Sequence, residues 1–441
     1  MTLRLSRRQM LSSLVVATGA GSSIMALYQT NRQARAWGLV PTFSATNIQP
    51  LSSTRQNTYP IMLVHGFAGW GRQELHGKIF YWGGFRDIQQ DLINNGFATM
   101  TASIGPFSSN WDRVCELFAQ IKGDRVDYGQ AHSSRFGHAR FGRTFAGMYP
   151  QWGEINPQTG KVNKLHLVAH SLGGPTVRLL AQLLEHGSAS ERAATPQSGL
   201  SSLFGGGKTG WIDSITTISS MHNGASAADL TKNLLPNALF SFLATTVGDS
   251  QLLNYDFMLD QWGLTRQRGE SLASFQMRIT NSRFNTTTDA AGPDVSPDVM
   301  VGSFNPSVKA QPDIFYFSVG TLATHTGLFN RQIQVPDISM DPILLPTGIF
   351  MGKHTKNSPG HVVIDSTWFA NDGLVNTNSM AGPTLNTTDV VVLYNGNPLR
   401  GQWNNLGVLN TVDHLDIIGI PIKDVRPWYR SLAALLASLP Q

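Results

Sequence analysis

Short runs of apolar residues alternate with longer segments in which apolar residues recur at helical spacing, from about residue 57 to the end of the chain. Such runs are typical of buried strands, and the segments between them of crossover helices. The pattern predicts strands at 59–64, 98–103, 164–169, 212–218, 314–319 and 390–394. It predicts helices at 85–94, 111–121, 174–186 and 428–439. This alternation favours an α/β fold with a mostly parallel central sheet flanked by helices.

The composition is that of a folded protein with a large core. The chain has 441 residues, of which 41% are hydrophobic and 14% are charged. No linker of biased composition and no internal repeat divides it, so we expect residues 37–441 to form one domain. The excess length is expected in insertions, at 74–87 together with 124–163 and at 222–310. The single cysteine, Cys115, excludes an intrachain disulfide.

The net charge of +5 comes entirely from the N-terminus. The first 36 residues contain five arginines and no acidic residue, and without them the counts of basic and acidic residues are both 28. A neutral remainder argues against a nucleic-acid partner. No segment provides the roughly 20 uninterrupted apolar residues that a membrane-spanning helix needs, so no integral membrane segment is expected.

Residues 1–36 have the features of a signal peptide. A basic start is followed by a moderately apolar stretch, 10–27, and by small residues at Ala34 and Ala36 that form a cleavage pattern before Trp37. The pair Arg7-Arg8 resembles the twin-arginine signal, whose export machinery carries folded substrates. We therefore expect an exported protein, periplasmic or extracellular. An ordinary basic surface helix is the alternative.

A candidate nucleophile follows the third predicted strand. That strand runs directly into the sequence AHSLGG, residues 169–174, and then into a helix. This strand–turn–helix context is the one in which a G-x-S-x-G motif exposes a reactive serine, here Ser171. Ala169 and Gly173 are small, as required where strand and helix backbones nearly touch. The amide of Leu172 is the expected first donor to an oxyanion. A simple Ser-Gly turn is the alternative.

A serine nucleophile needs a histidine base and an acid, which in this fold follow the serine in the order acid, then histidine. Asp372, in an Asp-Gly loop, and His414, in the last loop before the final helix, satisfy that order. His325, His354 and His361 precede Asp372 and do not. The second oxyanion donor is expected from the loop after the first strand, as the amide of Phe67.

Long motifs in this order carry a family resemblance. They are HGFAGWG at 65–71, YWGG at 81–84, SSNWDR at 108–113, GHARFG at 137–142, AHSLGG at 169–174, LDQWGL at 259–264, NDGLVNT at 371–377 and VDHL at 412–415. The chain resembles the bacterial true lipases of the thermoalkalophilic and staphylococcal group over residues 59–439. The resemblance implies an α/β-hydrolase fold, a Ser-Asp-His triad that coincides with the residues above, and triacylglycerol or simpler ester substrates. It also implies a lid helix at about 225–247, an apolar segment that could equally be a core helix.

The same resemblance implies a zinc ion held by two histidines and two aspartates. From spacing alone, His132 and His138 could be either solvated or metal-bound. The family's aspartates lie after the YWGG motif and in a threonine-rich loop past the QWGL block, which points to Asp87 and Asp289. Four protein ligands leave no open position, so the zinc is expected to be structural and to connect insertion 74–163 with insertion 222–310.

Some relatives also hold calcium near the catalytic histidine. Asp416 matches one acidic ligand, but Pro421 stands where the second should be, with Asp424 three residues further on as a candidate substitute. A solvated acidic loop is the alternative.

The leading expectation is an exported triacylglycerol lipase or carboxylesterase that works through an acyl-enzyme and acts on lipid or other esters. A polyester depolymerase could use the same triad. Two further alternatives are a non-catalytic lipid-binding protein on a hydrolase scaffold, and a zinc hydrolase in which His132 and His138 hold a catalytic ion.

Overall fold

The computed structural model describes residues 48–230, 255–420 and 422–441. The predicted signal peptide and cleavage site, residues 231–247 of the predicted lid helix, and Pro421 lie outside them. The start of the predicted lid segment contains a short 3₁₀ turn, Ser226–Asp229. None of the helices in these ranges has both the length and the apolar character that a membrane span requires.

Seven parallel strands form the central sheet, in the order β10-β11-β7-β6-β5-β1-β2. Two antiparallel pairs, β3–β4 and β8–β9, lie apart from it. The strands are β1 Ile61–Val64, β2 Thr99–Thr101, β3 Arg125–Asp127, β4 Phe141–Thr144, β5 Leu165–His170, β6 Ile212–Ile218, β7 Phe315–Leu322, β8 Thr324–Thr326, β9 Gln334–Pro336, β10 Val391–Leu393 and β11 Trp403–Asn410.

Helices connect the strands and cover both faces of the sheet. They are α1 Ile88–Asn94, α2 Asn110–Lys122, α3 Gln130–Phe136, α4 Gly173–His186, α5 Ala189–Ala194, α6 Ser202–Gly205, α7 Leu272–Thr280, α8 Ala291–Asp294, α9 Pro297–Val299, α10 Asn305–Ser307, α11 Leu345–Met351 and α12 Arg426–Ala437. A π-helical turn, Met300–Phe304, joins α9 to α10. Other 3₁₀ turns are Leu75–Gly77, Gln197–Gly199, Asp260–Trp262, Arg283–Thr286, Pro342–Leu344, Ser366–Trp368, Thr377–Ser379 and Asp416–Ile418.

The side chains on the two faces of β1 belong to two different hydrophobic clusters. Ile61 and Leu63 face one side of the sheet, where α1 and α12 pack. Met62 and Val64 face the other, where α2 and α4 pack. Successive side chains of a strand point to opposite faces, so a strand covered on both faces is largely apolar. This explains why the apolar runs in the sequence mark the central strands.

The six predicted strands and the four predicted helices are all present, with ends shifted by a few residues. The sequence pattern missed β11, which lies between β10 and β7. Polar Asn404 and Asn405 interrupt its apolar pattern, and its pairing with β7 shifts register between Asn405 and Val408. Gly407 adopts φ 96° at this irregularity. A bulged strand of this kind does not show a period of two.

The carboxyl ends of the parallel strands meet at one edge of the sheet. β1 leads there into the loop at residues 65–71, β5 into Ser171, and β11 into the loop that carries His414. Open α/β sheets bind their ligands at this edge.

Candidate functional site

Ser171 occupies the sharp turn between β5 and α4. Its φ is +58°, a conformation that costs energy for a residue with a side chain. The turn needs a small residue at position 173, because a Cβ on Gly173 would lie 2.6 Å from the carbonyl oxygen of Val64. The side chain of Ser171 is thereby directed to the carboxyl edge of the sheet, as the motif predicts.

His414 and Asp372 form a buried pair. His414 Nδ1 donates to Asp372 Oδ2 over 2.7 Å, and both side chains are almost inaccessible to water. Oδ2 also accepts from Thr321 Oγ1 at 2.7 Å, whereas Oδ1 accepts from the amides of Leu374, 3.0 Å, and Val375, 2.8 Å. Four donors therefore fix the carboxylate, and the carboxylate fixes the tautomer and the orientation of the imidazole.

His414 lies beside the serine turn. Its ring packs against that of His170, with the ring centroids 4.5 Å apart. Ser171 Oγ is buried and forms no hydrogen bond with any described residue. Hydrogen bonds between a nucleophile and its base often tighten only when substrate binds. The structure thus brings the three residues of the predicted triad to one place without a formed Ser171–His414 bond.

The loop after β1 lies against the serine. A Cβ on Gly66 would be 2.5 Å from Ser171 Cβ, so the backbone of this loop approaches the candidate nucleophile directly. Neither the amide of Phe67 nor that of Leu172 donates a hydrogen bond within residues 48–230, 255–420 and 422–441. The ring of Phe67 packs edge-on against Phe107, with centroids 5.2 Å apart.

Tyr81 connects this loop to the serine turn, a role that sequence reasoning missed. The amide of Gly66 donates to Tyr81 Oη at 2.9 Å, and Tyr81 Oη lies 2.7 Å from His170 Nδ1. Burial, together with the neighbouring His414, lowers the pKa of His170 well below its ordinary value, so this imidazole is neutral. Since Tyr81 already accepts from Gly66, its hydroxyl donates to His170. Tyr81 belongs to the YWGG motif, and this motif is the feature of the sequence that could have pointed to its role.

A second cluster consists of His132, His138, Asp112 and Asp289. One ligand atom from each lies within 4.8 Å of all the others. His132 Nε2 is 3.3 Å from Asp112 Oδ1 and 3.2 Å from Asp289 Oδ2, and His138 Nε2 is 3.3 Å from Asp289 Oδ2 and 4.0 Å from Asp112 Oδ1. Ligand distances of about 2.0–2.2 Å in tetrahedral zinc sites place neighbouring ligand atoms about 3.3–3.6 Å apart. The group therefore fits a small tetrahedral cation.

The surroundings of the cluster also fit a metal. His138 Nε2 and Asp112 Oδ1 are buried without a hydrogen-bond partner among the described residues. His138 Nδ1 contacts the carbonyl oxygen of Ala139 at 2.9 Å, which leaves Nε2 to bind a metal, and Gln261 Nε2 donates to Asp112 Oδ2 at 2.8 Å. Burial and the neighbouring Asp289 raise the pKa of Asp112. A cation would relieve that unfavourable burial of charge.

The prediction of Asp87 as a metal ligand is wrong, and Asp112 takes its place. Asp87 is the N-cap of α1, where its side chain accepts from the amide of Gln90, and it pairs with Arg72 at 2.6 Å. Asp112 lies in the first turn of α2, inside the SSNWDR block. The other three predicted residues, His132, His138 and Asp289, belong to the cluster.

The two acidic residues considered for calcium, Asp416 and Asp424, both lie beside basic side chains. Asp416 Oδ2 lies 3.0 Å from Lys423 Nζ. Asp424 pairs with Arg426 at 2.7 Å and lies 3.6 Å from Arg86. Each carboxylate thus has a cationic neighbour of its own, and among the described residues the cluster with Asp112 is the only group of three or more side chains placed to hold a metal ion.

Comparison with known proteins identifies the family. Residues 57–439 match the family model described as "Lipase-like, C-terminal domain". A lipase of Staphylococcus epidermidis is 34% identical over 412 residues, which are 91% of this chain and 56% of that protein. The chain thus spans about half the length of the curated relatives it matches.

Solved structures agree with this assignment. EstA from Clostridium botulinum is 42% identical, with a TM-score of 0.83 over 92% of this chain and 94% of that one. Lipase 1 from Pelosinus fermentans is 48% identical, with a TM-score of 0.80 over 87% and 100%. Staphylococcus hyicus lipase is 31% identical, with a TM-score of 0.70 over 88% and 97%. The chain therefore belongs to the bacterial lipase family of the staphylococcal group and has its α/β-hydrolase fold.

Proposed function

We propose that this protein is an exported carboxylic ester hydrolase of the triacylglycerol lipase type, with Ser171, His414 and Asp372 as its triad. One observation carries the proposal. A serine held at positive φ on the turn after β5 stands beside a histidine whose Nδ1 is bonded to a buried carboxylate. This constellation is the one that activates a serine for acyl transfer.

The residues divide the reaction between them. His414 Nε2 takes the proton of Ser171 Oγ as the oxygen attacks the ester carbonyl, and Asp372 stabilises the imidazolium. The amides of Phe67 and Leu172 donate to the oxyanion of the tetrahedral intermediate. His414 then protonates the departing alcohol, which leaves an acyl-enzyme on Ser171. Water activated by His414 releases the acid and restores the serine.

Within this proposal, Tyr81 and His170 are positioning residues. The chain of hydrogen bonds from Gly66 through Tyr81 to His170 fixes the loop of Phe67 against the serine turn. Donors held in place before the reaction stabilise a developing charge without reorganisation.

We further propose that the cluster of Asp112, His132, His138 and Asp289 holds a structural zinc ion. Bound zinc supplies an electrostatic crosslink between four protein ligands. Asp112 lies on α2, the two histidines lie in and after α3, and Asp289 precedes α8. The site therefore connects the insertion at 124–163 to residues of the insertion at 222–310 through α2. With all four positions taken by side chains, it provides no place for a metal-bound nucleophile.

Hydrolysis of chromogenic esters from short to long acyl chains tests the function. We expect residues 37–441 to prefer long chains, and Ser171→Ala to lose activity by at least about 1000-fold, as serine hydrolases do without their nucleophile. Ser220→Ala, at the neighbouring strand end of β6, is the matched control. Activity restricted to short chains would make the protein an esterase with the same triad. Activity that survives in Ser171→Ala would overturn the proposal.

Export by the twin-arginine route is a separate part of the proposal. It rests on Arg7-Arg8 and the cleavage pattern before Trp37. The double change Arg7→Lys/Arg8→Lys should retain the full-length precursor in the cell, whereas Arg32→Lys should leave export unchanged. Equal secretion of both variants would contradict this route.

A further inference from the structure

The three most exposed large apolar side chains among the described residues lie close together in the sequence. They are Phe329, which is fully exposed, Ile338, 94% exposed, and Leu328, 84% exposed. Scattered exposed apolar residues are common on protein surfaces, but such complete exposure within one short segment is not. Leu328 and Phe329 are at the tip of the hairpin formed by β8 and β9, and Ile338 follows its second strand.

The tip is an ordered turn rather than an open loop. The amide of Gly327 donates to the carbonyl oxygen of Ile333 at 3.0 Å, and the amide of Gln332 donates to Asn330 Oδ1 at 3.0 Å. Below it, His325 pairs with Val335 in the antiparallel ladder. The two apolar side chains are therefore held outward by a closed backbone, so little further ordering is needed when they are buried.

The base of the hairpin is attached to both loops that carry the proposed acid and base. The amide of Ala323 donates to the carbonyl oxygen of Asn371 at 3.0 Å, next to Asp372. Beyond the second strand, the amide of Asp341 donates to Asp413 Oδ2 at 2.7 Å, next to His414. The base of the hairpin thus stands at the carboxyl edge of the sheet, where the loops of Asp372 and His414 also lie.

The charge of the tip fits a lipid surface. Residues 324–336 contain no Asp or Glu, and Arg331 is their only Lys or Arg. An apolar pair beside one cation matches the boundary between acyl chains and anionic headgroups, where apolar side chains are buried and basic ones stay at the surface.

We propose that Leu328 and Phe329 insert into the lipid surface that bears the substrate, with Arg331 at the level of the headgroups, and so hold the triad loops at that surface. This inference rests on the proposed lipase function, which supplies the lipid substrate. It concerns a surface outside the triad and the metal cluster, and its failure can be distinguished from failure of the enzyme assignment.

The test compares binding to vesicles with hydrolysis of a soluble ester. We expect Leu328→Ser/Phe329→Ser to weaken binding to phosphatidylcholine vesicles by roughly tenfold or more. The variant lacks the two large apolar side chains whose transfer from water into the lipid would favour binding. Its hydrolysis of a monomeric short-chain ester should be unchanged. The matched control is Ile155→Ser, which removes a side chain 69% exposed in the loop before β5, at the opposite edge of the sheet.

Arg331→Ala should weaken binding only when the vesicles contain phosphatidylglycerol. Unchanged vesicle binding by the double variant would overturn the proposal, as would an equal loss in Ile155→Ser. A parent protein that self-associates through the tip, detected as a dimer that the double variant loses in sedimentation, would overturn it in favour of a second copy as the occupant. Absence of ester hydrolysis by the parent would instead refute the proposed function, and the vesicle measurement would still report on the tip.

Discussion

Substitution of Asp112 and of Asp87 by asparagine distinguishes the metal site of the structure from the one that the sequence predicts. Asparagine at 112 keeps the side-chain shape and an oxygen that can accept from Gln261 Nε2, but it removes the negative charge from the cluster. Asparagine at 87 is an equally good N-cap for α1 and loses only the partly exposed pair with Arg72, worth at most about 1 kcal/mol. The two variants therefore differ mainly in metal binding.

The expected effect follows from linkage between binding and folding. An ion present at about 1000 times its dissociation constant stabilises the folded state by about 4 kcal/mol. An unfolding entropy of about 2.1 cal/mol/K per residue gives about 0.8 kcal/mol/K for roughly 400 residues, so removal of the ion should lower Tm by about 5 °C. Chelation should produce this shift in the parent and in Asp87→Asn, and little or no shift in Asp112→Asn.

Thermal unfolding with and without chelator, together with elemental analysis of the purified proteins, measures both quantities. We expect about one zinc per chain in the parent and in Asp87→Asn, and much less in Asp112→Asn. The interpretation fails if Asp112→Asn keeps its metal while Asp87→Asn loses it. It also fails if chelation removes zinc from the parent without any change in Tm.

Three further predictions concern the triad, the loop beside it and a buried acid. Gly66→Ala should lower kcat by about 100-fold or more, because its Cβ would displace the loop from the candidate nucleophile; Gly205→Ala, with no atom within 4 Å of the new Cβ, is the neutral control. Thr321→Val removes one donor to Asp372 and should lower kcat about tenfold with KM unchanged in steady-state assays. Burial raises the pKa of Glu116 from 4.5 to about 8. Between these two pH values the folded protein keeps a proton that the unfolded chain releases, so the free energy of unfolding falls as the pH rises from about 4.5 to about 8. Urea midpoints at pH 5 and pH 8 should therefore differ less in Glu116→Gln than in the parent.

Those parts of the fold that depend on local sequence were predictable. β1 is a continuous apolar run because both of its faces lie in the core, whereas β5 and β6 are equally buried and mostly apolar but include polar residues such as His166 and Asp213. Ser171 was found because the turn admits only small neighbours at positions 169 and 173, a requirement visible in the sequence. By contrast, β11 includes asparagines whose polar groups are satisfied by other segments, as when Asn404 Nδ2 donates to the carbonyl oxygen of Tyr316, and no local pattern reveals such partners.

The parts of the site that depend on the tertiary structure were not predictable. Asp87 and Asp112 have the same chemistry, and both lie in or just after a motif of the family: Asp87 follows YWGG, and Asp112 lies within SSNWDR. Only the packing of α2 against the loop of His132 and His138 decides which carboxylate reaches the imidazoles. Thr321 and Tyr81 each act through one hydroxyl group. The hydroxyl of Thr321 bonds to Asp372, about 50 residues away in the chain, and that of Tyr81 bonds to His170, about 90 residues away. Spacing along the sequence does not reveal hydrogen bonds of that kind.

Covalent labelling with a fluorophosphonate tests most directly the claim that Ser171 is a nucleophile activated by His414 and Asp372. Intact-mass and peptide analysis should show one adduct per chain, on the peptide that contains Ser171, with loss of ester hydrolysis in proportion to labelling. Ser171→Ala should remain unlabelled, and Asp372→Asn should react far more slowly because the imidazole loses the carboxylate that orients it. An adduct on another residue, or full ester hydrolysis by a protein quantitatively labelled at Ser171, would contradict the account.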